Sequence, residues 1–139
     1  MTIPPIVLAS ASPRRRDLLC QIGIEPAAII PTDINATPHQ RELPPRYALR
    51  MANEKARAVV LPDDIKDSAV VLAGDTVVAV GRRILPKAET EDQARSCLAL
   101  LSGRRHRVYG GIALRLTDGT LRSRLVTSCV IFKRLHRDE

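Results

Sequence analysis

A chain of 139 residues with 45% hydrophobic and 27% charged content has the make-up of one globular domain around one core. Its net charge of +7 points to an anionic partner, but only 2% of residues are aromatic (Tyr47, Tyr109 and Phe132), which argues against single-strand binding by base stacking. Cys20, Cys97 and Cys129 give neither a metal spacing nor a disulfide framework, and no apolar run is long enough to span a bilayer. Cys97 and Cys129 sit in apolar patterns and read as small core residues, and a reducing cytoplasm is the simplest compartment.

In chain order, Ile6 to Ala9 reads as a short buried strand that runs into Ser10-Ala11-Ser12-Pro13-Arg14-Arg15-Arg16. Ser12 fits an N-cap and Pro13 the first position of a helix reaching about Ile22, with Gly23 placed to stop it. Arginines at a helix start oppose the macrodipole, which an anion held on the free N–H groups would explain. A capped helix with a solvated basic first turn is the alternative. Ala27 to Ile30 reads as a second strand, and residues 31–45, with four prolines, as a loop. A second helix is predicted from about Arg46 to Val60, with Ala48, Met51, Ala52, Ala56 and Val59 on one stripe. Lys55 falls on that stripe, so it either snorkels to solvent or directs its ammonium into a cleft.

Ala69 to Val80 reads as a central strand of the fully buried type, interrupted by Asp75 and Thr76. A brief strand at Ile84-Leu85 precedes Lys87. Thr90 with Gln93 forms a capping box for a third helix, with Ala94, Cys97, Leu98 and Leu101 on one face and Gly103 at its end. His106 to Leu116 and Leu121 to about Leu135 then form a hairpin around Asp118-Gly119. The order implies an α/β fold with a mixed sheet flanked by helices, in one domain spanning 1–139. Neither a dinucleotide fingerprint nor a P-loop is present.

Three features converge: the basic helix start (Arg14, Arg15), lysines among apolar neighbours (Lys55, Lys87), and Asp75 inside an apolar strand. A buried carboxylate requires a cation, a metal or hydrogen-bond donors. Asp75 is therefore either a structural ion pair or strand cap, or a metal ligand or proton acceptor beside a phosphate site.

Taken together, the motifs resemble those of the Maf family of nucleotide pyrophosphatases. Ser10-Ala11-Ser12-Pro13-Arg14-Arg15 is similar to the family's N-terminal signature. Glu42, Tyr47, Arg50, Ala52 and Glu54-Lys55-Ala56 match its second block in spacing. Ala73-Gly74-Asp75-Thr76-Val77-Val78 resembles its central strand motif. Ile84-Leu85-Pro86-Lys87, then Leu101-Ser102-Gly103 with His106 and Val108, resemble the blocks that follow. The resemblance implies a Maf/ITPase-like nucleotide cleft and hydrolysis of nucleoside triphosphates, canonical or modified, to monophosphate and pyrophosphate with a divalent metal, Mg or Mn. It implies Asp75 as the catalytic proton acceptor, and Ser10, Arg14, Lys55 and Lys87 as lining the phosphate cleft. Arg15 and Thr76 would set substrate specificity, Thr76 being similar to the branch that prefers dTTP and UTP. Asp75 and Glu42 are the expected metal ligands, and a homodimer without a membrane partner is expected.

The chain departs from the family pattern at Asn35-Ala36, where an acidic pair is usual, at Pro86 and Ala88 around Lys87, and at Gly110, where threonine is common. Family members also continue for several dozen residues beyond the point matching Glu139, so a C-terminally short second lobe is expected. The alternatives are a nucleotide-binding paralogue impaired in catalysis and a nucleic-acid- or septum-associated factor. The scarcity of aromatics and the lack of a recognition-helix motif argue against the last.

Overall fold

The computed structural model describes residues 4–10, 12–85, 95 and 105–131. The chain begins with β1 (Ile6–Ala9), α1 (Pro13–Gln21), β2 (Ala28–Ile29) and α2 (Pro44–Ala58). It continues through β3 (Val70–Val80), β4 (Arg83–Leu85), β5 (Arg105–Arg115) and β6 (Leu121–Ile131). The six strands form one sheet in the order β2-β1-β3-β5-β6, with β4 also paired to β3. β1 is parallel to β2 and β3, whereas β3–β4, β3–β5 and β5–β6 are antiparallel. The expected mixed α/β architecture is therefore present. Apart from residue 95, the third predicted helix lies outside the described residues, as do its capping box at Thr90, Cys97 and Lys87.

Asp75 and Thr76 do not interrupt β3. The strand keeps its register with β5 through both, Asp75 opposite Gly111 and Thr76 opposite Gly110. The pleat sends them to opposite faces of the sheet. One face is dense: Val7, Ala9, Val71, Ala73 and Ala113 pack against Ala52, Ala56 and Val59. On the other face, Leu72, Gly74 and Val78 are only half-buried and Thr76 is exposed. The expectation of a strand buried on both sides fails on this second face among the described residues.

α2 begins two residues earlier than predicted because Pro44 and Pro45 sit in its first turn. Proline has no N–H to lose there and its fixed φ suits the helix. Its buried side chains are small, three of five being alanine, and the helix lies close to the sheet. A Cβ on Gly111 would fall 2.4 Å from the Ala48 carbonyl oxygen, so only glycine permits this approach. Arg115 fixes the helix end by donating to the carbonyls of Arg57 and Val59 at 3.1 and 3.0 Å, a cation on a helix C-terminus.

α1 starts at Pro13 with Ser12 at the N-cap position, as predicted, but Ser12 makes no side-chain cap bond and no α1 residue is buried. Gly23 follows the helix, and the N–H of Ile24 closes on the Leu19 carbonyl at 2.9 Å. The β5–β6 hairpin turns at Asp118-Gly119 as predicted, with Gly119 at φ +87°. Cys129 is exposed rather than in the core. It sits on the outermost strand, where an apolar pattern does not by itself secure burial.

Candidate active site

Two elements bring the predicted residues together. β3 holds Asp75 at 8% exposure on the α2 face, and α2 delivers Lys55 to it, with Nζ 2.8 Å from Asp75 Oδ1. The close approach at Gly111, opposite Asp75 in the sheet, lets a helical lysine reach a strand carboxylate. The choice left open by the sequence is thus settled geometrically: Lys55 turns inward and is the counter-charge of Asp75. The pair stands at a cavity of about 390 Å³ bounded by Ala36, Pro38, Tyr47, Met51, Thr76, Val77, Ile84 and Leu85. A largely buried ion pair that lines a cavity is better suited to exchanging partners than one sealed in a core.

On the opposite face, the start of α1 supplies a second polar group. Ser10, buried, accepts from the Ser12 N–H at 3.0 Å and from Arg15 Nη1 at 3.3 Å. Arg15 Nη2 lies 3.5 Å from Thr76 Oγ1. Its guanidinium crosses Gly74, whose Cβ position would be 3.5 Å from Arg15 Nε. Arg15 and Thr76 border a groove of about 440 Å³ walled mainly by Leu8, Leu18, Leu19, Ile22, Leu72 and Ile112. Arg14 is exposed on the first turn. Lys87 lies outside the described residues.

Glu42 is placed elsewhere. Both carboxylate oxygens accept from Arg50, at 2.6 Å from Nε and 2.8 Å from Nη2, and Oε1 also accepts the His39 N–H at 2.9 Å. The Arg50 guanidinium, helped by the His39 N–H, holds this carboxyl far below the usual range, at about 2. Arg50 is pushed upward by the same pairing and by Glu54 at 3.1 Å. The expectation of a metal on Glu42 meets a carboxylate already occupied on both oxygens by a guanidinium. Sequence reasoning missed this pair, although the i,i+4 spacing of Arg50 and Glu54 marked Arg50 as an ion-pairing residue. It also missed the role of Gly111, for which a glycine inside a strand pattern was the available signal.

Among the described residues, no three His, Cys, Asp or Glu side chains converge to hold a metal ion. Among the described residues, Asp75 alone offers a carboxylate at the cavity. That donor set fits a hard cation held by one carboxylate and by phosphate oxygens of a bound nucleotide, and does not fit a cation caged by protein alone. Among the described residues, no helix is long and apolar enough to cross a membrane.

Comparison with known proteins places this geometry in context. The family model for Maf-like proteins matches residues 5–139. A dTTP/UTP pyrophosphatase of Novosphingobium aromaticivorans is 52% identical over 136 residues, covering 98% of this chain and 66% of that protein. A dTTP/UTP pyrophosphatase of Caulobacter vibrioides is 58% identical over 134 residues, covering 95% and 67%. The chain thus spans about two thirds of the length of these curated relatives. Among solved structures, the Ham1 protein of Staphylococcus aureus aligns with a TM-score of 0.55 at 16% identity over 90% of this chain and 70% of that one. A nucleoside-triphosphatase / dITP/XTP pyrophosphatase from Mycobacterium abscessus aligns with a TM-score of 0.52 at 17% identity over 90% and 72%. These two share the fold. From the signature at Ser10 to the strand motif at Asp75, and by the match over residues 5–139, the chain belongs to the Maf-like family.

Proposed function

We propose that this chain is a nucleoside triphosphate pyrophosphatase acting on dTTP and UTP, releasing the monophosphate and pyrophosphate. The observation that carries the reading is the Asp75–Lys55 pair at 2.8 Å on the wall of a cavity, in a chain over half identical to proteins named dTTP/UTP pyrophosphatase. An entering phosphate competes with Asp75 for the Lys55 ammonium. Lys55 then neutralises phosphate charge, and Asp75 is left to accept the proton of the attacking water. A divalent cation, Mg or Mn, would be held by Asp75 and the phosphates, and when bound it offsets charge on the phosphate under attack. Ser10, Arg14 and Lys87 complete the phosphate contacts in this reading. Arg15, on the groove side, and Thr76, which borders both the groove and the cavity, select the nucleotide. The chain would work as one Maf-like domain in the cytoplasm, as a homodimer.

The test is incubation of the purified protein with dTTP, UTP and CTP, with and without magnesium or manganese, measuring monophosphate and pyrophosphate. Metal-dependent formation of both products from dTTP or UTP is expected. A folded protein that forms neither product from any of the three contradicts the proposal.

A further inference from the structure

Residues 35–43, the second part of the connection from β2 to α2, supply Ala36 and Pro38 to the wall of the Asp75–Lys55 cavity. Little of this segment is buried, so apolar packing does not fix it. Its side-chain attachments to α2 run through Arg50 and Tyr47, with Arg50 making most of them. Arg50 holds the Glu42 carboxylate through two bonds and donates from Nη2 to the Thr37 carbonyl at 3.1 Å. Its guanidinium also lies over the Tyr47 ring, 5.6 Å from the centroid. The Tyr47 hydroxyl in turn donates to the Ala36 carbonyl. Glu42 closes the arrangement by accepting the His39 N–H. Arg50 itself is not among the residues that line the cavity.

We propose that Arg50 is a positioning residue: its guanidinium sets the place of the Ala36–Pro38 wall against Lys55 and Asp75, and thereby the affinity of the cleft for nucleotide. The inference rests on the pyrophosphatase reading above. Planarity and the fixed fork are what the role requires, because four groups (two carboxylates, a carbonyl and an aromatic face) are met by one side chain in fixed directions. A lysine keeps the charge and loses the fork.

The experiment compares wild type with Arg50→Lys by steady-state kinetics on dTTP, amide hydrogen exchange across residues 35–43, and thermal melting. In Arg50→Lys the KM for dTTP rises about tenfold while kcat stays within about threefold of wild type. Exchange at the His39 and Glu42 amides accelerates about tenfold or more. A merely structural role lowers the melting temperature and leaves KM unmoved below the transition. Unchanged KM, or unchanged exchange with raised KM, overturns the proposal. If Arg50→Lys does not fold, Glu42→Gln carries the test, since it removes the charge-assisted bonds through which Arg50 holds the segment; the same rise in KM and in exchange at the His39 amide is expected, and an unchanged KM overturns the proposal. Wild-type protein that neither turns over nor binds dTTP removes the pyrophosphatase reading itself. An active wild type with unmoved KM in the variant removes only the role of Arg50.

Discussion

The two faces of the sheet are built by different means, and the boundary between them runs between adjacent residues of β3. On the α2 face, a helix of small side chains lies so near the strands that Gly111 has no room for a Cβ, and Asp75 is bound to Lys55 at 2.8 Å. On the α1 face, a nine-residue helix buries none of its side chains, Leu18 and Ile22 are 53% and 69% exposed, and Thr76 opens onto a groove. Dense packing fixes a lysine and a carboxylate to within hydrogen-bond distance, as the proposed proton transfer and phosphate neutralisation require. An open face with an arginine and a threonine suits discrimination among ligands, for which tight packing is not required.

The contrast breaks most severely at Gly111. Gly111→Ala places a methyl group against the Ala48 backbone, and α2 moves outward or the strand bends. A loss of about 3 kcal/mol is expected in urea denaturation, with a fall in kcat as Lys55 leaves Asp75. Lys55→Met comes next, since it leaves the Asp75 carboxylate largely buried without its cation. It should lower stability by about 2 kcal/mol, less than for a fully buried pair because the lysine retains some exposure, and Asp75→Asn in the same chain should recover much of it in a double-mutant cycle.

Glu42→Gln, at the N-terminal end of the same face, should lower stability near neutral pH by about 1–2 kcal/mol. Its pH dependence has a defined sign. The Glu42 carboxyl is lowered from 4.5 to about 2 in the folded chain. Its contribution is therefore fully present above about pH 4.5 and is lost as pH falls toward 2. Denaturation midpoints of wild type should drop across that window more steeply than those of Glu42→Gln. The smallest effect belongs to the other face: Leu18→Ser or Ile22→Ser should shift stability by about 0.5 kcal/mol or less, because neither side chain is buried.

The contrast also explains what was readable in the sequence. The α2 face announced itself: the stripe at Ala48, Met51, Ala52, Ala56 and Val59 has helical period, and Lys55 stood out because it broke that stripe. Asp75 stood out for the same reason within an apolar strand. Their meeting was not readable, because it depends on the Gly111–Ala48 approach, a contact between residues 63 positions apart that no local pattern encodes. That Arg50, eight residues on, reaches both oxygens of Glu42 is likewise not encoded by any local pattern. The openness of the α1 face is not legible in the apolar run of β3. An alternating or continuous apolar run signals a strand, but burial of each side needs a layer on that side, and only the three-dimensional arrangement shows which layers exist.

The most direct test of the account is steady-state kinetics on dTTP and UTP for two neighbouring substitutions, Asp75→Asn and Thr76→Val. The account predicts a kcat lowered about 10²- to 10⁴-fold in Asp75→Asn. For Thr76→Val it predicts a kcat within about threefold of wild type and a changed ratio of kcat/KM between nucleotides. Wild-type kcat in Asp75→Asn, or an equal collapse of kcat in both variants, would contradict the proposed assignment of proton transfer to Asp75 and of nucleotide selection to Thr76.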